Sequence, residues 1–180
     1  MAETWTAATF GIAPALNKYL LGIFNGAGSG RIFRLYKALV MNMQTVQTGY
    51  VTGVVLTLQF RLITAFTVGT GTTVTPVAHD TNNAALPAQL LVATAAQTVT
   101  DSSIYRVWHF SSDEGAVEIA SMDEMEMLMP YALRWEAGAF DTTSIQPLTL
   151  REGEGIVIKC TTNSTVGTLD CIFEFTNDAV

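Results

Sequence analysis

Apolar and polar residues alternate along much of the chain, and a period of two is typical of β-strands that bury one face. In residues 53–63 the inward positions of this pattern are Val54, Leu56, Leu58, Phe60 and Leu62. In residues 167–176 they are Leu169, Cys171, Phe173 and Phe175. Burying one such side chain contributes roughly 1.5–3 kcal/mol, so each apolar face supplies a substantial share of a domain's stability. Both segments are therefore predicted to be half-buried strands.

Similar but shorter runs predict the other strands, which are separated by turns rich in Gly, Asn and Thr. These strands are Tyr19–Phe24, Ile32–Met41, Leu90–Ala95, Ile104–Phe110, Ala132–Trp135, Leu148–Leu150 and Ile156–Thr161. The best helical candidate is residues 121–129, in which Ser121 and Glu124 have the spacing of a capping box. Many short strands with frequent turns predict an all-β fold, a single-domain antiparallel β-sandwich of the jelly-roll type.

The chain is predicted to hold one domain preceded by an extended N-terminal arm. Its 180 residues are enough for a single sizeable core. Residues 1–17 end in GIAPALN and are interpreted as an arm that needs a surface to lie on, and residues 18–180 form the sandwich. Residues 66–103 are poor in charge and rich in Thr, Ala, Asn and Pro, which indicates a long loop region used for function or contact.

Charge is scarce in this sequence, and its balance restricts the classes of partner. Charged residues make up 14% of the chain, against roughly 25% in an ordinary globular domain. A surface so poor in charge suits a protein that buries much of it against other chains. The net charge is −7, and the one basic cluster is Arg31, Arg34 and Lys37, which argues against nucleic-acid binding. No run reaches the ~18 apolar residues of a membrane span, and no secretion signal is recognisable.

The histidines give little support for an enzyme. Only His79 and His109 are present, no GxSxG motif occurs, and the adjacency of His79 and Asp80 does not by itself make a catalytic triad. Alternation places His109 on a strand face opposite Trp108, which favours a structural histidine. A glycosidase pair of carboxylates need only meet in space, but nothing in the sequence points to one. The prediction is a protein without catalysis and without a cofactor.

Residues 25–34 (NGAGSGRIFR) contain three spaced glycines, which raises the question of a phosphate cradle. Such a cradle needs a strand before the glycines and a helix after them, so that helical N–H groups face the anion. Here the following residues are strand-like, and the glycines are spaced GxGxG, not GxGxxG. The segment is predicted to be a turn between two strands.

Three further groups of residues leave alternatives open. The carboxylates Asp113, Glu114, Glu118, Asp123, Glu124 and Glu126 form either a solvated acidic loop or a cation site without EF-hand spacing. Trp5, Trp108 and Trp135 are either core and interface anchors or a platform for sugar rings. Cys160 and Cys171 are predicted to face each other, both inward, across the last hairpin, with free thiols and a disulfide both possible.

Three stretches resemble the small jelly-roll virion proteins of tailed bacteriophages, which dress capsids or form head and tail appendages. These stretches are FNGAGSGRIFRLYKALVMN (24–42), GTTVTPVAHDTNNAALPA (71–88) and PLTLREGEGIVIKCTTNSTVGTLDCIFEFT (147–176). They share the order of an Asn-Gly turn, alternating strands, a Thr/Pro/Asn loop, and an LREGEG turn that leads into a closing hairpin. The resemblance brings no catalytic residues, which favours a structural role.

The resemblance implies a virion structural protein made in the host bacterial cytoplasm, specifically a capsid decoration or cement protein. Its expected partners are the major capsid protein and copies of itself, since jelly-roll protomers often pack as trimers. The residues expected to make these contacts are Trp5 and Phe10 in the arm and His79, Asp80, Asn82 and Asn83 in the middle loop. The alternative is a carbohydrate-binding or host-attachment module of a head or tail fibre, which would expose aromatic residues in a shallow groove.

Overall fold

The alternating segments form strands that pair into two antiparallel sheets. A computed structural model describes residues 3–43, 55–95, 98–111, 133–137, 146–162 and 168–179. The strands in these ranges are β1 (Glu3–Ile12), β2 (Tyr19–Asn25), β3 (Arg31–Met43), β4 (Val55–Thr67), β5 (Thr72–Thr73), β6 (Val77–Ala78), β7 (Leu90–Thr94), β8 (Thr98–Ser111), β9 (Leu133–Glu136), β10 (Leu148–Leu150), β11 (Glu154–Cys160) and β12 (Thr168–Ala179).

Two six-stranded sheets pack face to face. Sheet A has the order β10–β3–β12–β1–β6, and β9 also pairs with β3. Sheet B has the order β5–β7–β2–β11–β4–β8. The prediction of an all-β, antiparallel sandwich is confirmed.

The core between the sheets is built from the inward faces that alternation predicted. In β4 the buried side chains include Leu56, Leu58 and Phe60. In β12 they are Leu169, Cys171, Phe173 and Phe175. The ring of Phe60 lies at the centre of this core, with ring centroids 5.5 Å from Trp108, 5.9 Å from Trp135 and 5.9 Å from Phe173. Aromatic side chains from both sheets therefore meet around one residue of β4.

Leu62 departs from the predicted pattern, because β4 does not keep its alternation to the end. The register of β4 against β8 shifts at several points between Phe60 and Ala65. Such irregularities move the following side chains to new faces. Leu62 is only partly buried, while Ile63 and Phe66 enter a second apolar cluster.

This second cluster lies on the outer face of sheet B, the face turned away from the main core. Its other buried members are Phe24, Ala93 and Val157, and each of them alternates along its strand with a residue of the main core. Phe24 and Phe66 stack with their ring centroids 6.3 Å apart. A Cβ atom on Gly22 would lie 2.7 Å from the Phe66 ring, so a glycine is needed where this ring crosses β2.

The N-terminal segment is not an arm, and that prediction is wrong for residues 3–12. These residues form β1, which lies between β12 and β6 in sheet A. Trp5 faces Phe175 and Ala7 faces Phe173 across the β1–β12 pair, and all four side chains are buried. Burial of Trp5 against the last strand therefore fixes this segment within the domain.

Two other predictions need correction. The long loop predicted at 66–103 contains β5, β6, β7 and the beginning of β8. The last hairpin is absent, because β11 belongs to sheet B whereas β12 belongs to sheet A. Cys160 and Cys171 do not pair across a hairpin; both are buried and both are free thiols. Burial raises the pKa of the Cys171 thiol to about 12, which keeps it protonated and unreactive.

Several predictions concern residues outside the described ranges. They are the short helix at 121–129, the acidic group at 113–126, and the strand residues Val54 and Ala132. The other predicted strands are observed as β2, β3, β7, β8, β9, β10 and β11.

Candidate contact surface

Residues 77–84 lie along the edge of β1 and join the two predicted contact segments into one surface. In β6, Val77 pairs with Thr6 and Ala78 pairs with Trp5. The His79 N–H donates to the Thr4 carbonyl at 2.9 Å. The middle segment thus continues sheet A by one short strand beyond β1.

Side chains reinforce this backbone pairing. A ring nitrogen of His79 lies 2.6 Å from the Thr6 hydroxyl oxygen. The Asn83 side-chain amide donates to the Thr4 carbonyl at 3.2 Å. The Ala84 N–H donates to a carboxylate oxygen of Glu3 at 3.1 Å. His79 and Asn83 therefore hold the chain to itself, and these contacts give both residues a structural role.

Asp80 and Asn82 form the turn of this segment. The Asn82 N–H donates to the Asp80 carboxylate at 2.9 Å, and the Asn83 N–H donates to the Asp80 carbonyl at 3.1 Å. This arrangement is an Asx-turn, for which Asp is well suited. The Asp80 and Asn82 side chains are exposed, so both remain available for contact with another molecule.

The two arm residues have opposite positions in the structure. Trp5 is 8% exposed and belongs to the main core, so the prediction that it contacts a partner is corrected. Phe10 is 69% exposed near the end of β1, and Val77, which pairs with Thr6 four residues earlier in β1, is 67% exposed. Exposed apolar side chains that lie along one sheet edge mark a candidate surface for contact with another protein.

β1 changes conformation at Phe10 and Gly11. Its register against β12 shifts between Thr9 and Ile12, which is a β-bulge. Gly11 has a φ of 65°, and its N–H donates to the Asp170 carboxylate at 2.7 Å. The regular pairing of β1 with β12 therefore ends at Thr9, and Phe10 and Gly11 form the bulge.

The outer face of sheet A carries an apolar row that leads to this edge. The register of β3, β12 and β1 aligns Leu39, Ile172 and Ala8, which are half-buried and alternate with core residues. Phe10 lies two positions further along β1 on the same face, since successive strand residues alternate between faces. We call Ala8, Phe10, Leu39 and Ile172 the sheet A patch.

Ion pairs occupy the same outer face beside the patch. The Lys37 ammonium lies 2.9 Å from the Glu174 carboxylate, and both side chains are partly exposed. Arg34 pairs with Asp178, and Arg134 pairs with Glu136. Because the two charges of each pair neutralise one another, these three ion pairs add little net charge to the outer face.

The glycine-rich turn binds a carboxylate of the chain itself. The Gly30 N–H donates to the Glu152 carboxylate at 2.8 Å, and the Ser29 hydroxyl lies 3.5 Å from the same oxygen. Hydrogen bonds from the Gly30 and Gly28 backbone lower the pKa of Glu152. The strand after this turn is β3, as predicted, so the segment is a turn whose N–H groups hold Glu152.

Other candidate chemistry is distributed without forming a site. His109 is exposed, with its Nδ1 3.3 Å from the Thr57 hydroxyl oxygen, whereas His79 contacts Thr6. Within the described ranges, no group of three or more His, Cys, Asp and Glu side chains is placed to hold a metal ion. Trp5 and Trp135 are buried in the core, so they offer no platform for a sugar ring.

Sequence reasoning missed two residues that organise the edge. Glu3 accepts hydrogen bonds from the Ala84 N–H and, at 3.0 Å, from the Asn177 side chain. Val77 is the exposed residue of β6, a strand of only two residues. A strand this short has no period to detect, and only the Val-Ala pair after Pro76 hinted at it.

Comparisons with known proteins give no relative: no family model, no curated protein and no solved structure matches this chain. The described part of the chain contains no helix that is long and apolar enough to cross a membrane.

Proposed function

We propose that this chain is a structural protein of a bacteriophage virion, a capsid decoration or cement protein. It binds the assembled lattice of the major capsid protein, and copies of itself, through non-covalent contacts. The capsid is then stabilised by the surface area buried in these contacts and by mass action over many copies, with no chemical step and no cofactor.

The order of the strands supports the finer assignment of a jelly roll. With β5, β6, β7 and β9 set aside, eight strands remain and can be numbered along the chain. One sheet then has the order 1-8-3-6 and the other 2-7-4-5. This is the order of a double Greek key, which is the defining topology of jelly rolls. Jelly rolls are frequent in viral capsid proteins, and that frequency is an analogy at the level of fold.

The observation that carries the proposal is the outer face of sheet A. It combines the sheet A patch with threonines and internally paired charges, and its edge exposes Phe10 and Val77. A broad, weakly charged face of this kind suits contact with another protein surface. The glycan-binding alternative has weaker support, because Trp5 and Trp135 lie in the core and cannot stack on sugars.

Imaging of the intact particle with this chain located tests the proposal directly. Many symmetry-related copies on the capsid shell, with sheet A facing the major capsid protein, are the expected result. A chain found at a few copies in a fibre or neck would contradict the cement function, and absence from the particle would contradict the virion function altogether.

A binding assay tests which surface is used. Purified protein is added to capsids that lack it, and the bound fraction is measured by co-sedimentation. Ile172→Lys places an unpaired charge in the sheet A patch and is expected to weaken binding by about tenfold or more. Val107→Lys, at an exposed apolar position of β8 in sheet B, is the matched control and should bind normally. Equal binding by both variants would overturn the assignment of this face.

A further inference from the structure

The backbone of β1 has an open edge next to β6. The Thr4 carbonyl points to the β6 side, since it accepts from the His79 N–H. Backbone direction alternates along the regular part of a strand, so the N–H and C=O groups of Thr6 and Ala8 point to the same side. At the bulge the Gly11 N–H turns to Asp170 of β12, so the Phe10 carbonyl of the same peptide also points to the β6 side. Thr6 is paired with Val77, but no described strand lies beside Ala8 and Phe10 on that side. These two residues therefore present unpaired donors and acceptors at the sheet edge.

This edge lacks the features that normally prevent strand addition. Natural edge strands are protected by lysines, prolines or inward-pointing charges. Residues 4–12 (TWTAATFGI) contain no charged residue and no proline. The bulge at Phe10 and Gly11 is the protective feature that β1 does have, and it limits the open edge to Ala8–Phe10.

We propose that the open edge of β1 binds the same edge of a second copy, in antiparallel register about a two-fold axis at Thr9. Ala8 of each copy then faces Phe10 of the other, and the two pairs exchange four N–H···O hydrogen bonds. The inference deepens the self-association part of the proposed function and names its surface.

Side-chain size favours this self-pairing. Directly opposed residues in an antiparallel pair have Cβ atoms about 4.5–5.5 Å apart, so a large ring is best placed opposite a small residue. Ala8 is small, half-buried and next to Ile172 in the sheet A patch, whereas Phe10 is 69% exposed. The Phe10 ring of the second copy would cover Ala8 and contact Ile172 of the first. By symmetry, the Phe10 ring of the first copy would cover Ala8 and contact Ile172 of the second.

The charge distribution favours a second copy as the occupant. A two-fold axis brings each residue close to its own equivalent, so a charged residue near the axis would face a like charge. The uncharged sequence of residues 4–12 avoids this repulsion. The net charge of −7 still opposes approach at long range, so added salt should strengthen the association by screening.

Sedimentation equilibrium of the isolated full-length chain, over a range of concentrations, tests the proposal. A reversible dimer that tightens with salt is the expected result. Phe10→Lys should weaken dimerisation by about tenfold or more. Ile104→Lys, at an exposed apolar position of β8, is the matched control and should leave dimerisation unchanged. A monomer at all concentrations would overturn the proposal, and so would a trimer, because a two-fold contact cannot close one.

Ala8→Pro provides a second variant that removes the Ala8 N–H without adding charge. Proline is tolerated at an edge position whose N–H faces solvent, so the monomer should keep its thermal unfolding temperature while dimerisation is lost. Amide exchange should show Ala8 and Phe10 becoming more protected as concentration rises. A dimer unaffected by Phe10→Lys and Ala8→Pro would place the interface elsewhere and overturn the proposal. Capsid binding is measured separately, so its loss or retention does not bear on this result.

Discussion

The two outer faces of the sandwich differ in what covers them. The outer face of sheet B is covered by the chain itself, since Phe66 and Ile63 of β4 pack there with Phe24 and Val157. The outer face of sheet A carries the sheet A patch, ion pairs and threonines, and its edge exposes Phe10. One sheet thus uses its second face for internal stability, whereas the other has no second apolar cluster on that face among the described residues.

The difference arises in β4 and β2. β4 loses its register against β8 after Phe60, which brings Phe66 over sheet B. Gly22 leaves room on β2 for the Phe66 ring. Sheet A is different in that Leu39 and Ile172, at comparable outward positions, remain half-buried without a place in either core cluster. The outward position of an apolar residue therefore does not decide its role; what decides it is whether a large side chain such as Phe66 packs over it.

Replacing one phenylalanine by alanine on each outer face should give the largest difference in the free energy of unfolding. Phe66→Ala removes a ring that is buried on sheet B and should lower the free energy of unfolding by about 3–5 kcal/mol. Phe10→Ala removes an exposed ring on sheet A and should change it by less than about 0.5 kcal/mol. Urea unfolding of both variants at one dilute protein concentration measures the difference. Similar losses in the two variants would mean that sheet A is also covered, and the comparison would fail.

Strands can be predicted from this sequence where alternate positions differ strongly in hydrophobicity. The strands with bulky alternating residues, such as β4 and β12, were predicted with their inward faces. The sequence ETWTAATFGI does not reveal β1, because its inward positions include Ala7 and Thr9 and its outward positions include Ala8 and Phe10, so the two faces differ little in hydrophobicity. The last hairpin was wrong because a local turn does not reveal that β11 and β12 pair with different sheets.

The contact residues remain predictions, but the structure shows where they lie and what each of them touches. His79 and Asn83 were chosen from a loop without a period, and the structure shows them bound to Thr4 and Thr6 of β1. Trp5 was placed on the surface because nothing local shows that Phe175 lies opposite it. The cover over sheet B could not be predicted, because register irregularities in β4 leave no trace in a period of two.

Removing a carboxylate from each outer face should give a smaller difference in the free energy of unfolding. On sheet B, the Asp101 carboxylate lies 2.9 Å from Lys159 and 3.5 Å from Arg61, and it also lies within 3.4 Å of the Tyr19 hydroxyl. Burial lowers the pKa of Lys159, but the hydrogen bond from Lys159 to Asp101 and the further interactions with Tyr19 and Asp101 outweigh it, so the pKa is raised overall. Asp101 thus ties β8 to β4, β11 and β2 of the same sheet.

Asp101→Asn removes this charge and should lower the free energy of unfolding by about 1–3 kcal/mol, because two cations lose their carboxylate. Glu174→Gln removes one carboxylate from the more exposed Lys37 pair on sheet A and should cost less than about 1 kcal/mol. Urea unfolding at low and high salt separates the two cases, since salt should shrink the sheet A effect more. A larger loss from Glu174→Gln would contradict the view that sheet A holds its charges only at the surface.

The smallest effect is expected where neither face is involved, at the turn that binds Glu152. The Gly30 and Gly28 backbone stabilises the carboxylate and lowers its pKa below the ordinary glutamate value. A carboxylate with a lowered pKa in the folded state contributes stability at pH values above its ordinary pKa, and this contribution disappears as the pH falls through the folded value.

Glu152→Gln should therefore lower stability slightly at neutral pH, and its difference from the native protein should vanish in acid. Unfolding curves from pH 7 down to about pH 3 measure this, with the Glu152 side-chain resonance reporting its titration directly. A difference that stays constant with pH would mean that the turn binds the side chain through its shape and not through its charge. The result also bears on the comparison of the faces, because Phe10→Ala combined with Glu152→Gln should show the sum of the two small effects if this turn and the sheet A edge are independent.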